Sequence, residues 1–421
     1  MQVSFPYPDV PPLSIEEKNL LGVFEARTRT PLAETEVLVR QALATPIGSR
    51  PLREIARGAG RILVVVDDVS RPTPVHAILP PVLQELSAAG EEESRIEFLL
   101  ALGTHRFMTG AEIAAKLGSD IAGRFPVHNH DWKDPAACAL MGTTLNGVEV
   151  WMNKKVVAAD LVIGIGLIMP IDVCGFTGGG KILVPGVCGK VTNDEMHWYR
   201  ISEPDENVIG KRDNRVRAAI DEMARKAGLG FVVNVIMSPA YGVLHVVAGD
   251  MVEAHRQGCE VSRDVYSVRI PREADIVVAD SHPFDIDFWQ ANKALDQAGL
   301  AVRKGGALIL VTPCPEGFSM AHRELAHLGY PPIAEITRMV DAGAIQSKVV
   351  AVHMAQVSKV ARERATVILV TKGISPEALR GAGLEHAANP QEALAKAFAI
   401  AGANARVAVL RGASQMLPII G

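Results

Sequence analysis

Short runs of aliphatic, mostly β-branched residues recur along this chain, each followed by a polar turn and then a helical pattern. Ile62-Leu63-Val64-Val65-Val66, closed by Asp67-Asp68, is the first. A strand without a polar face must be covered on both sides, and in an alternating chain the intervening helices supply that cover. Pro72 and Pro74 open a helical region with Val75, Ile78, Leu79, Val82, Leu83 and Leu86 on one face. Pro80-Pro81 falls inside it, where a kink or a restart is expected. A second strand over 96–102 ends in Gly103-Thr104-His105-Arg106, a short helix over 111–117 follows, and a strand over 159–166 leads into a glycine-rich loop. The second half repeats the theme, with strands over 274–279, 306–311, 365–370 and 406–410 and helices over 287–302 and 390–401.

The pattern predicts an α/β fold of two lobes, each with a largely parallel sheet flanked by helices. A length of 421 residues is more than one core usually serves. The segment 267–273, with Pro271 in it, is the natural boundary. The expected domains are 1–270 and 271–404, with 405–421 free to return to the first. A ligand is expected in the cleft between lobes, at the carboxyl ends of the strands.

Charge narrows the function classes. Lys plus Arg number 43 against 47 acidic residues, a net charge of -4, so no nucleic-acid partner and no anionic membrane partner is expected. Residues 227–249 carry no Asp, Glu, Lys or Arg, but Asn234, Ser238-Pro239, Gly242 and His245 divide them into two short strands around a turn rather than a membrane span. Five scattered cysteines without a C-x-x-C pair argue against a disulfide scaffold or a thiolate zinc site and for a reducing, cytoplasmic setting. The segment 1–12 has no secretory pattern.

Several motifs carry candidate chemistry. Gly175-Phe176-Thr177-Gly178-Gly179-Gly180-Lys181 fits the phosphate-loop pattern until Ile182 replaces the magnesium-holding hydroxyl, and Pro185-Gly186 interrupts the helix such a loop needs. A phosphotransferase is thereby demoted, and a tight glycine turn with a solvated lysine remains open. His197 lies sixteen residues after Lys181, on a helix expected to start at Thr192 with Glu195 at capping-box spacing. His105 stands at a strand end, where an imidazole can take a hydroxyl proton. Asp68-Val69-Ser70-Arg71-Pro72-Thr73-Pro74 offers a guanidinium for a carboxylate or phosphate. His128 and His130 suit either a shared metal or a polar loop. Trp289-Gln290-Ala291-Asn292-Lys293 places an amide and an ammonium on one helical face, suited to a carboxylate.

Taken in order, these elements, with Asn129-His130-Asp131 among them, resemble the nickel-dependent lactate racemase family over most of the chain. The resemblance implies a nickel-pincer nucleotide (Ni) as cofactor, bound covalently through Lys181, with His197 as the nickel ligand and Asp68, Ser70, Thr177, Gly178, Gly179 and Gly180 around it in the first domain. An imidazole with sulfur and carbon donors suits square-planar nickel. It further implies a racemase or epimerase that moves hydride between C2 of a 2-hydroxy acid and the cofactor ring, with His105 as a catalytic base. The same resemblance implies Arg71, Trp289, Gln290 and Lys293 as the residues that bind and orient the substrate. The family has Pro-His ten residues before the loop lysine, whereas this chain has Pro170-Ile171. Isoleucine cannot carry a proton, so the substrate is expected to differ from lactate, with Asp172 as the candidate second base. A non-catalytic binding protein for a small carboxylate or the cofactor is the rival reading. The partners implied are the small-molecule acid and the cofactor-biosynthesis enzymes. The oligomeric state, homo-oligomer included, stays open.

Overall fold

The computed structural model describes residues 1–144, 147–201, 203 and 207–421. The chain forms two compact units, Thr28–Val265 and the combination of Met1–Arg27 with Tyr266–Gly421.

In the unit Thr28–Val265, a six-stranded sheet runs in the spatial order Val243–Gly249, Leu229–Met237, Leu161–Leu167, Ile62–Asp67, Ile96–Ala101 and Val127–Asn129. Neighbours are parallel except for the antiparallel hairpin Leu229–Met237 with Val243–Gly249, which accounts for the uncharged stretch over 227–249. Every residue of Ile62–Asp67 and of Leu161–Leu167 is buried, as the unbroken apolar runs require. From Ile62–Asp67 the chain steps outward through Ile96–Ala101 to Val127–Asn129, then returns to the opposite side at Leu161–Leu167. That reversal is the topological switch point, where adjacent connections leave the sheet on opposite faces and open a crevice at the carboxyl ends.

The second unit repeats the plan. Its sheet runs Glu385–Ala387, Ala365–Val370, Val302–Val311, Ala274–Asp280, Val407–Arg411 and Leu20–Glu25, all parallel. The helix Phe288–Gly299 follows the central strand Ala274–Asp280, so its first turn lies at the carboxyl edge.

The structure differs from the expected division at both chain ends. Residues 1–27 belong to the second unit because Leu20–Glu25 pairs with Val407–Arg411. Residues 405–421 stay in that unit rather than returning to the first: Val407–Arg411 is hydrogen-bonded to Ala274–Asp280, and Leu417–Ile420 to Ser267–Ile270. The prolines also behave differently. Val75–Ala88 is one helix with Pro80 and Pro81 inside it. The carbonyls that lose their partners are those of exposed His76 and half-exposed Ala77, within reach of water, while Val75, Ile78, Leu79, Val82 and Leu86 stay buried and hold the helix.

Candidate active site

The switch point of the unit Thr28–Val265 gathers most of the motif residues. Buried Asp67 ends the central strand, takes Lys116 Nζ at 2.8 Å and accepts the Thr73 hydroxyl. Lys116 Nζ also donates to the Arg71 carbonyl at 2.8 Å, which pins the turn over 68–74. One residue on, Asp68 Oδ2 accepts His105 Nδ1–H at 2.6 Å, and Oδ1 accepts the Ser70 N–H at 3.2 Å and hydroxyl at 2.5 Å. A carboxylate only accepts, so Nδ1 carries a proton, and whenever the ring is neutral the lone pair lies on Nε2. Burial pushes the Asp68 carboxyl up, but the charge and hydrogen bond of His105, the charge of Arg71 and the Ser70 bond outweigh it and hold it far below the usual range. Arg71 Nη1 donates to Ser70 Oγ at 3.0 Å. Asp68 and Ser70, expected beside the cofactor, are thus engaged with the base and the guanidinium. Their polar atoms orient His105 and Arg71.

The glycine loop is built differently from a phosphate cradle. Pro170–Ile171 pairs antiparallel with Gly175–Phe176, and Gly179–Ile182 forms a 3-10 turn. The next helix, Lys190–Arg200, starts eight residues after Ile182 with Gly189 as its N-cap, so the loop does not run directly into a helix N-terminus as phosphate-loop enzymes require. The Thr177 hydroxyl donates to the Leu167 carbonyl at 2.5 Å and accepts the Met169 N–H at 3.0 Å. The Gly179 N–H donates to Asn234 Oδ1 at 2.9 Å. These donors are spent inside the protein, so the Thr177 hydroxyl and the Gly179 N–H, expected around the cofactor, hold the shape of the loop itself. Gly178 and Gly180 serve packing: a Cβ on Gly178 would meet Ile168 at 2.6 Å, and one on Gly180 would meet Ala224 at 2.9 Å. Buried Arg217 donates to the Gly178 carbonyl at 3.2 Å and to that of Phe176, clamping the loop from behind.

What the loop presents is Lys181. The residue is half-buried, and among the described residues its ammonium makes no hydrogen bond or ion pair. Burial lowers it below the ordinary lysine range; Cys174 and Asp172 oppose that, while Arg71 and Arg217 add to it. His197 lies close enough for the Lys181 charge to act on its ring. Its Nδ1–H donates to the Asn193 carbonyl at 2.8 Å, leaving the Nε2 lone pair unengaged among the described residues. Burial, with the Lys181 charge, pushes the His197 imidazole down to about 4, so it is neutral at pH 7. Its helix begins at Lys190, not Thr192, whose hydroxyl instead donates to the Glu149 carbonyl at 2.8 Å and accepts the Trp151 N–H at 2.7 Å.

Ile171 is buried in its hairpin opposite Gly175. Asp172 is buried beside it, its carbonyl accepts Arg200 Nε at 2.7 Å, and its charge reaches Lys181. The paired-histidine alternative fails because Val127–Asn129 ends before His130. His128 Nε2 pairs with Glu97 at 3.1 Å. Fully buried His130 donates from Nε2 to the Cys188 carbonyl at 3.0 Å and accepts from Asn153 Nδ2 at 3.0 Å. It is a neutral strut, not the polar-loop residue the other reading expected.

In the second unit, Asp287 caps the helix Phe288–Gly299 by accepting the Gln290 N–H at 2.8 Å. Lys293 Nζ donates to Gln290 Oε1 and sits 5.0 Å from the Phe284 ring centroid. The amide and the ammonium therefore meet, as their spacing implies. Sequence reasoning misses two neighbours of Trp289. The indole is stacked between His322 at 4.2 Å and His353 at 4.4 Å. Burial pushes His353 down to about 3, which keeps it neutral against the indole. Arg217 and Cys174 are likewise missed, since no local pattern marks them as neighbours of Lys181.

The unit Thr28–Val265 thus carries an Asp–His pair at its switch point and a lysine–histidine pair on the neighbouring loop and helix, and the chain as a whole is two α/β units. The lactate racemase N-terminal domain matches residues 9–208 and the lactate racemase C-terminal domain matches residues 270–417. The chain belongs to the lactate racemase family. It is 30% identical over 285 residues to the lactate racemase of Thermoanaerobacterium thermosaccharolyticum, spanning 67% of this chain and 66% of that enzyme. To the lactate racemase of Lactiplantibacillus plantarum it is 28% identical over 404 residues, 94% of each chain. The lactate racemase apoprotein structure from T. thermosaccharolyticum superposes with a TM-score of 0.89 at 24% identity over 100% of both chains. A Thermotoga maritima protein gives 0.73 at 22% identity, over 94% of this chain and 100% of that one. At these identities the two superpositions speak to the fold.

Proposed function

We propose that this chain racemises or epimerises a 2-hydroxy acid other than lactate, using a nickel-pincer nucleotide held by Lys181 and His197. The observation that carries the proposal is an unengaged lysyl amine near enough for its charge to act on a neutral imidazole whose Nδ1–H is fixed and whose Nε2 is open. The donor set fits. Among the described residues no group of three or more His, Cys, Asp or Glu could hold a metal, so a nickel ion here would take its other ligands from an organic group. When bound, that group supplies a ring carbon able to take hydride from C2 and return it.

The chain's own residues do the rest. His105 Nε2 accepts the proton of the 2-hydroxyl and returns it, while Asp68 stabilises the imidazolium through Nδ1. Arg71 offers its guanidinium to the carboxylate. In the second unit, Lys293 and Gln290 present an ammonium and an amide of the kind that orient a carboxylate and a hydroxyl, and the stacked Trp289 stiffens the start of their helix. Ile171 stands where a second base is expected, and Asp172 is the carboxylate next to it; this favours one-sided chemistry or a longer, polyhydroxy acid. Five buried thiols without a disulfide support a reducing, cytoplasmic setting, and no helix among the described residues is long and apolar enough to cross a membrane.

The test is incubation of loaded protein with a panel of 2-hydroxy acids in deuterated water, following C2 configuration and isotope. Inversion without deuterium at C2 is expected for one of them. No inversion of any acid at full loading on Lys181 would leave the binding-protein reading instead. Ile171→His is expected to add lactate racemisation, and a fully loaded variant that stays inactive on lactate counts against a missing base.

A further inference from the structure

The helix Lys190–Arg200 holds a polar side chain that no described residue hydrogen-bonds. Asn193 is 0% exposed, and among the described residues neither Nδ2 nor Oδ1 has a hydrogen-bond partner. Its backbone, by contrast, is engaged: the N–H donates to the Gly189 carbonyl at 3.0 Å and its own carbonyl accepts His197 Nδ1–H at 2.8 Å. The neighbouring polar side chains are committed too, Thr192 to Glu149 and Trp151, and Asp194 to Lys190. A buried amide with its donors and acceptor all unpaired is unfavourable compared with an apolar side chain of the same shape. Asn is also a weaker helix former than Leu. The residue therefore costs stability in the protein as it stands, which is the mark of a group kept for a ligand.

Its position says which ligand. Asn193 and His197 are four residues apart on one helix, so they share a face one turn from each other. His197 is also the imidazole that the Lys181 charge reaches. We propose that Asn193 is a binding residue for the group held by Lys181 and His197, its carboxamide donating through Nδ2 and accepting through Oδ1 at a hydroxyl-bearing part of a mononucleotide. A sugar hydroxyl both donates and accepts, and so satisfies an amide in both directions. This inference rests on the reading of Lys181 and His197 given above.

The experiment compares wild type, Asn193→Leu and Asn193→Gln, each produced with and without the cofactor-biosynthesis enzymes. Apoprotein melting temperature and the intact-mass increment on the Lys181 peptide are read separately, so turnover is not needed. Asn193→Leu is expected to melt at or above the wild-type temperature without cofactor while its loading falls at least tenfold. Asn193→Gln, which keeps the amide, is expected to recover part of the loading. Wild-type loading in Asn193→Leu overturns the proposal. So does an apoprotein melting several degrees lower or failing to fold, because the amide is then bonded within the protein. An absent increment in wild type itself overturns the reading of Lys181, and this inference with it.

Discussion

Replacing Asp68 by Asn tests the base at its support. In the native protein one carboxylate serves three donors, His105 Nδ1–H at 2.6 Å and the Ser70 N–H and hydroxyl at 3.2 and 2.5 Å. Asparagine has one oxygen and one NH2, so whichever way it turns, its NH2 faces a donor. With its oxygen toward Ser70, the NH2 meets His105 and forces the imidazole proton onto Nε2, where no lone pair is left to take a hydroxyl proton. With its oxygen toward His105, the tautomer survives but the charge is gone and the Ser70 N–H faces another donor. A hydrogen bond to a charged group contributes about 1.5–3 kcal/mol. Reducing the one to His105 to a neutral bond therefore lowers turnover by at most about 10- to 150-fold, and losing it as the tautomer flips lowers turnover further. Nitrogen-15 NMR of the histidine ring reports the tautomer directly, and chiral chromatography of the acid reports the rate. An Asp68→Asn protein with the His105 proton still on Nδ1 and turnover within twofold of wild type would refute the assignment.

Three further outcomes are expected. Gly175 has φ +85 and an added Cβ would lie 1.9 Å from the Lys211 carbonyl, whereas a Cβ on Gly110 meets nothing within 4 Å. Gly175→Ala should therefore destabilise by more than the ~1–3 kcal/mol of backbone strain, while Gly110→Ala should be neutral or slightly stabilising in urea denaturation. His197 sits at about 4 when folded, below its ordinary value of about 6.5. The unfolded chain thus binds the proton more tightly, and this contribution to stability is complete above pH ~6.5 and lost as pH falls toward 4. His197→Ala should flatten that part of the stability–pH curve. His130→Phe strands the buried Cys188 carbonyl and the Asn153 amide, each a loss of about 1–3 kcal/mol. Its melting temperature should fall, and an unchanged one would contradict the strut assignment.

Local pattern carried the strands, because a run such as Ile62–Asp67 has no polar face and admits only a covered position in a sheet. It also carried the meeting of Gln290 with Lys293, since three residues on a helix fix a shared face whatever surrounds it. The pairing of Lys181 with His197 was legible only as an ordered spacing within a family resemblance.

Other features depend on partners far away in sequence. The chain ends joined the second unit through strand pairing between Leu20–Glu25 and Val407–Arg411, and no local signal in either segment names the other. Asp68 reads as a strand-end carboxylate until the fold brings up His105, and Arg217 as an ordinary helix residue until its guanidinium meets the carbonyls of Phe176 and Gly178. The sequence by itself determined the elements and the residue types at their ends, because backbone periodicity and turn chemistry act over a few residues. Which of those residues share a hydrogen bond, and which donors of the glycine loop are spent internally, was decided by tertiary packing.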